Sequence, residues 1–238
     1  MKGQMMPGGS PWCVVTPTLQ VVPPIPLWHV FKRGFGALAP NPKSEARMAL
    51  VRTHGMFYAA DTAAGALWET VLRSVHVGSD LKAHVLPMHL RGYDIVKIQA
   101  QRPDLPLLAL GQPGLRALYH DPDSAAAQAV ATLLHQPDHS VTHPEAVQLY
   151  AQLRAVGISD MPVLSWPSRM HHPSTAYLAY EKPMDSSWWQ VVGPVISLDD
   201  PATGYPLVSA ALASSGFTWA TPLATTATAP PPVPGTGP

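Results

Sequence analysis

The stretch FYAADTAAGALWETVLR, residues 57 to 73, sets the tightest limit on what this chain can fold into. An aromatic strand, MFYAA, runs straight into an alanine-rich helix, so strand and helix must sit together in one unit. Asp61 suits an N-cap, because its carboxylate accepts from the first free amides, and the helix is predicted from Thr62 to about Val75 with Gly78 as its stop. One glutamate, Glu69, lies in that helix among Ala66, Leu67, Thr70 and Val71. Its spacing to Arg73 reads as a surface ion pair worth about 0.2–0.5 kcal/mol. Its small and apolar neighbours also suit a carboxylate placed to do chemistry.

Around this unit, strands and helices mix without the strict alternation of a doubly wound sheet. LWHVFK (27 to 32) reads as a strand, as do MALV, AHVLPMHL, YDIVKIQ, PVLSW, TAYLAYE and WWQVVGPVISL. DSAAAQAVATLL and PEAVQLYAQLRAVG read as helices, the second with Pro144 in its first turn and Gly157 past its end. The expectation is an α+β fold with a mixed, largely antiparallel sheet and flanking helices. Residues 1–24 read as an irregular arm and 25–205 as the main folded domain. Residues 206–238 read as a C-terminal segment ending in a low-complexity Ala/Thr/Pro tail that cannot build a packed core.

Composition narrows the function classes. The 238 residues are 46% hydrophobic and 13% charged, with mean hydropathy +0.05, enough apolar material for a sizeable core. Fifteen basic and 15 acidic residues balance to a net charge of +0, and no basic cluster offers a face for nucleic-acid phosphates. The lone Cys13 cannot form an internal disulfide or a cysteine zinc site. Prolines and glycines replace the apolar run of a signal peptide, and no window nears the ~18 apolar residues of a membrane span. A cytoplasmic protein, without membrane or direct nucleic-acid partners, is expected.

Several familiar chemistries lack their motifs. No GxSxG elbow and no glycine-rich phosphate loop after a strand occurs. His135, His139 and His143 have a spacing that invites a metal reading, but Pro137 breaks the helix that would align them, and no metal is expected.

Three segments together resemble the RES-domain family, the NAD-degrading toxins of toxin–antitoxin pairs. LWHVFKRGFGALAPNPKSEAR is similar to the family's opening strand, loop and arginine, here Arg47. FYAADTAAGALWETVLR is similar to its tyrosine and glutamate-bearing helix, here Tyr58 and Glu69. GISDMPVLSWPSRMHHPSTAYLAYE is similar to the late segment with adjacent serine and arginine, here Ser168 and Arg169. One departure stands at LWHVF. Where the family commonly has an arginine one residue after the aromatic, this chain has His29, a donor that is mostly neutral near pH 7. If the family arginine grips a phosphate of the substrate, then either affinity is weaker here or Arg33 or Arg52 substitutes.

The resemblance implies an ADP-ribosyltransferase-like fold and cleavage of the nicotinamide–ribose bond of NAD, with phosphate or water as acceptor. NAD is then a substrate, with inorganic phosphate as a co-substrate where phosphate rather than water is the acceptor, and no cofactor is expected. Glu69 would stabilise positive charge developing on the ribose. Arg47 would pair with the pyrophosphate. Tyr58 would stack on a base, Ser168 would donate to the nicotinamide amide or the acceptor, and Arg169 would hold a second phosphate. An antitoxin with a helix-turn-helix domain is the implied partner, and association of further copies is left open. His29 points to one alternative, a degenerate module that binds a nucleotide or protein without turnover; a further alternative is ADP-ribosyl transfer to a macromolecule, since that chemistry shares its first half.

Overall fold

A computed structural model describes residues 17–112, 114–119, 124–185 and 187–220; the arm up to residue 16 and the Ala/Thr/Pro tail lie outside them. The fold is α+β. Strands β1 (Gln20–Val21), β2 (Leu27–Lys32) and β3 (Met56–Ala60) precede helix α1 (Ala63–Trp68). Then come β4 (Lys82–Ala83), α2 (Pro87–Leu90), β5 (Tyr93–Ala100), β6 (Pro106–Ala109), α3 (Gly114–Leu118), α4 (Ala125–Leu134) and α5 (Thr142–Ala155). The chain continues through β7 (Val163–Pro167), β8 (Thr175–Tyr180), β9 (Trp189–Val191), β10 (Ile196–Ser197), α6 (Gly204–Ala213) and β11 (Thr218–Trp219).

Nine strands form one sheet in the order β1-β6-β7-β8-β3-β2-β5-β10, with β9 also on β5. Only β6 and β7 pair in parallel; the other neighbours in this sheet are antiparallel. The joint between β2 and β3 is the feature that makes a site. β2 pairs with β5 from Leu27–Ile98 to Lys32–Tyr93, and β3 pairs with β8 from Met56–Tyr180 to Ala60–Ala176. Between β2 and β3 themselves, Trp28–Ala60 is the single registered pair. Met56 bridges to Asn41 of the intervening loop instead. The sheet therefore opens as a wedge, and side chains rather than backbone bonds must fill it.

Alternation along β3 sends its residues to different cores. Phe57 and Ala59 pack with Leu27, Val96, Ile98, Tyr177, Trp188 and Trp189. Ala60 packs on the other face with Val30, Leu67, Trp68, Ile95, Val208 and Leu212. A third cluster joins Met48, Leu164, Leu178 and Tyr180 to α4 and α5 through Leu134, Leu149 and Leu153.

Local expectations meet the structure unevenly. α5 begins at Thr142 with Pro144 in its first turn, and Gly157 follows it at φ +89°, a conformation glycine adopts without steric cost. The helix after β3 is much shorter than expected and is capped by Thr62, whose Oγ1 accepts from Gly65 N at 2.9 Å. Asp61 instead accepts from Thr175 N at 3.0 Å, tying β3 to β8. MALV is no strand: Met48 and Arg52 have φ of +59° and +66°, and Met48 N donates to Thr142 Oγ1 at 2.9 Å. AHVLPMHL divides at Pro87, which opens α2. Gly193-Pro194 separates β9 from β10 in the last predicted strand. α6, missed in the sequence because Pro206 and small residues obscure its period, crosses the boundary drawn at 205 and packs on α1, where Trp68 Nε1 donates to Ala211 O at 3.2 Å.

Candidate active site

A cleft of about 460 Å³ opens at the wedge between β2 and β3. Glu69 lies on its wall, placed there by the early end of α1. Thr70 Oγ1 donates to Ala66 O at 2.6 Å, and Leu72 N reaches back to Leu67 O at 2.9 Å, so the regular ladder stops and the chain turns. Glu69 becomes the C-cap residue, its amide still bonded to Gly65 O at 3.0 Å.

The carboxylate is held from across the fold. Ser168, fully buried, donates its hydroxyl to Glu69 Oε1 at 2.6 Å, and Met170 N approaches the same oxygen at 3.5 Å. His171 N donates to Ser168 Oγ at 3.0 Å, which directs the hydroxyl proton toward Glu69. The same loop is pinned to the start of α1: Ser174 Oγ bonds Thr62 Oγ1 and meets His171 Nδ1 at 2.7 Å. Gly65 permits this approach, since a Cβ there would lie 2.6 Å from both Cβ and Oγ of Ser174. Ser168, expected as a donor to substrate, directs its one hydroxyl proton to Glu69 and does not line the cleft.

Arg73 is not the partner of Glu69: among the described residues no ion pair joins them, and Arg73 faces His139 instead. Its Nη1 lies 3.2 Å from His139 Nδ1 and its Nη2 2.6 Å from Nε2. Arg47 Nη2 approaches the same Nε2 at 3.4 Å, while its Nη1 donates to Leu133 O at 3.3 Å. Arg47 is only 4% exposed, and burial, offset by Glu69 and Tyr58, pushes its guanidinium below its ordinary pKa with help from Arg169 and Arg73. Burial and the flanking Arg73, Arg47 and Arg169 push His139 down to about 4, so its ring is neutral near pH 7. Arg169 keeps Nη2 3.5 Å from Met170 Sδ, and its Nε is buried without a partner among the described residues.

Tyr58 donates its hydroxyl to the Arg47 carbonyl and meets Trp166 edge-on at 6.2 Å. Its phenol is pushed well above its usual range, first by burial and then by Tyr180 and Glu69. His29 fills the root of the wedge: its Nδ1–H donates to the Tyr58 carbonyl, and its ring stacks on Phe57 at 4.2 Å and Phe31 at 5.6 Å. Burial, opposed by that carbonyl, lowers His29 to about 4, and its Nε2 is left buried without a partner among the described residues.

Neither proposed substitute for the family arginine reaches the cleft. Arg52 sits exposed on a left-handed turn beyond the buried Met48–Leu50 segment. Arg33 is engaged by Asp94 at 3.0 Å and Asp199 at 2.7 Å. The histidine triplet separates as well. His143 Nε2 faces the carbonyls of Glu45 and Ala46 at 3.3 Å, His135 is exposed, and only His139 enters the cleft. Sequence reasoning missed His139 as a partner of the arginines, because nothing local signals a contact with residues 66 and 92 positions away.

Fold and cleft together define an α+β protein with one anchored carboxylate facing a cluster of arginines without carboxylate partners among the described residues. The chain matches the RES domain over residues 26–187, well over half its length, and belongs to the RES-domain family. A chain of the crystal structure of the M. tuberculosis MbcT-MbcA toxin-antitoxin complex is similar at 15% identity and a TM-score of 0.49, covering 77% of this chain and 87% of that one. No curated protein matches the sequence. No helix among the described residues is long and apolar enough to cross a membrane.

Proposed function

We propose that the chain consumes NAD by breaking the bond between nicotinamide and ribose, with phosphate or water taking the ribose carbon. The observation that carries this reading is Glu69, fixed by Ser168 on a cleft wall that also presents Arg47 and Arg73. Loss of nicotinamide leaves positive charge on the ribose, and an anchored carboxylate lowers the energy of that charge without reorganising. Oε1 is occupied by Ser168, so Oε2 is the oxygen offered to the ribose. The guanidinium groups supply donors for the pyrophosphate, while Trp28, Tyr58 and Trp166 give aromatic surface for the rings. An antitoxin that blocks the cleft, in the cytoplasm, is the partner we assign on the family resemblance.

The test is incubation of the purified protein with NAD, with and without phosphate, and chromatographic analysis. Nicotinamide release that requires phosphate identifies a phosphorylase; release without it identifies a glycohydrolase. Glu69→Gln keeps an acceptor for Ser168 and removes the charge, and is expected to lower release by about 100-fold or more while NAD still binds. The neutral, buried His29 favours a second reading, a binding module without turnover. NAD binding with no product from the wild type selects that reading, and ADP-ribose found on added protein selects a transferase.

A further inference from the structure

Arg47, Arg73 and His139 come from three separate places: the loop before β3, the turn after α1, and the connection between α4 and α5. All three line the cleft. A neutral imidazole has one acceptor nitrogen, yet arginine nitrogens lie 2.6 Å from Nε2 and 3.2 Å from Nδ1. Whichever tautomer forms, one ring N–H faces an arginine N–H, so the cluster has a surplus of donors, and among the described residues no carboxylate pairs with either arginine. Arg47 makes the shortage sharper: at 4% exposure its guanidinium meets only the Leu133 carbonyl and His139 among the described residues. A buried cation in that position is stabilised by an anion with several oxygen acceptors.

From this geometry we infer that His139 is a specificity-determining residue, which spaces the Arg47 and Arg73 guanidinium groups to receive one phosphoryl group and donates its ring N–H to it. The inference rests on the proposed NAD reading for the identity of the larger ligand, but the phosphoryl chemistry stands without turnover. The phosphoryl group belongs either to a dinucleotide or to free phosphate, and both present tetrahedral oxygens to the same donors. Arg73 then has a job that its spacing to Glu69 does not suggest.

Calorimetric titration of the full chain separates the outcomes, using ADP, inorganic phosphate and nicotinamide riboside, which has the base and sugar but no phosphate. His139→Ala is expected to weaken ADP or phosphate binding by about tenfold, while nicotinamide riboside binding stays within twofold. A loss confined to ADP assigns the group to the dinucleotide, and a loss confined to phosphate assigns it to the free ion. Equal weakening of all three ligands, or unchanged binding of both phosphoryl ligands, overturns the inference. If His139→Ala lowers the melting temperature, His139→Asn keeps a polar group near Nδ1 and carries the same comparison. Wild-type protein that binds ADP with this dependence on His139 but releases no nicotinamide refutes the NAD-cleaving function and leaves the subsite intact.

Discussion

Ser168 donates to Glu69 Oε1 at 2.6 Å, joining residues 99 positions apart and making the serine a brace for the carboxylate. Its own burial and the His171 amide leave it no freedom to do otherwise. A hydrogen bond to a charged group is worth about 1.5–3 kcal/mol, or roughly 10- to 100-fold in rate if it is realised in the transition state. Ser168→Ala is therefore expected to reduce kcat for nicotinamide release over that range with little change in KM. Steady-state kinetics that show a KM effect alone would assign Ser168 to substrate contact instead.

Gly65 occupies a helix interior, where alanine normally adds about 0.5–1 kcal/mol of stability. Here the sign reverses. A Cβ would stand 2.6 Å from Ser174 Cβ and Oγ, and relieving that overlap pushes α1 away from the loop that holds Glu69. Gly65→Ala is expected to destabilise the protein by about 1–3 kcal/mol. Adding Ser174→Gly removes both clashing atoms, and a double variant more stable than Gly65→Ala in urea unfolding confirms the cause.

Tyr58 ties β3 to the Arg47 loop through the Arg47 carbonyl. Tyr58→Phe keeps the ring and loses that bond, a net of about 0.5–1.5 kcal/mol. The expected result is a KM for NAD raised by about 3- to 10-fold with kcat nearly unchanged, since Arg47 is loosened and Glu69 is not. An equal fall in kcat would place the phenol in the chemical step.

Acid should weaken the fold before most carboxylates titrate. His29 and His139 are each lowered from 6.5 to about 4, first by burial and, for His139, also by Arg73, Arg47 and Arg169. The unfolded chain then binds more protons than the native one between these values, so stability is present above about 6.5 and lost as pH falls toward 4. Urea midpoints measured from pH 7.5 to 4.5 should decline through this window. A His29→Gln variant should decline less steeply, and a slope unchanged by it would mean that His29 is not buried neutral.

Much of the fold was legible where one local period dominates. β2, β3, β5, β7 and β8 coincide with runs read as strands, and α4 and α5 with runs read as helices. The reading failed where a single backbone angle or a distant partner intervened. Met48 at φ +59° turns a strand-like run into a buried loop, and Thr70 bonding back to Ala66 shortens α1. Trp188 and Trp189, adjacent in sequence, are both buried at 3% exposure each, which strand alternation does not predict.

By itself, the sequence determined the strand-to-helix unit that carries Tyr58 and Glu69, the order of the three segments, and through them the RES-domain resemblance. Hydrophobic period, proline and glycine act over a few residues, so their consequences can be read in place. Only the tertiary structure decided what each polar side chain faces. Glu69 and Arg73 are four residues apart, yet Glu69 bonds Ser168 and Arg73 turns to His139. Those pairings depend on how β2 and β3 part at Trp28–Ala60 and on which loops converge on the opening. Such contacts are set by the packing of the whole chain, because no local period specifies which distant group will meet a given side chain.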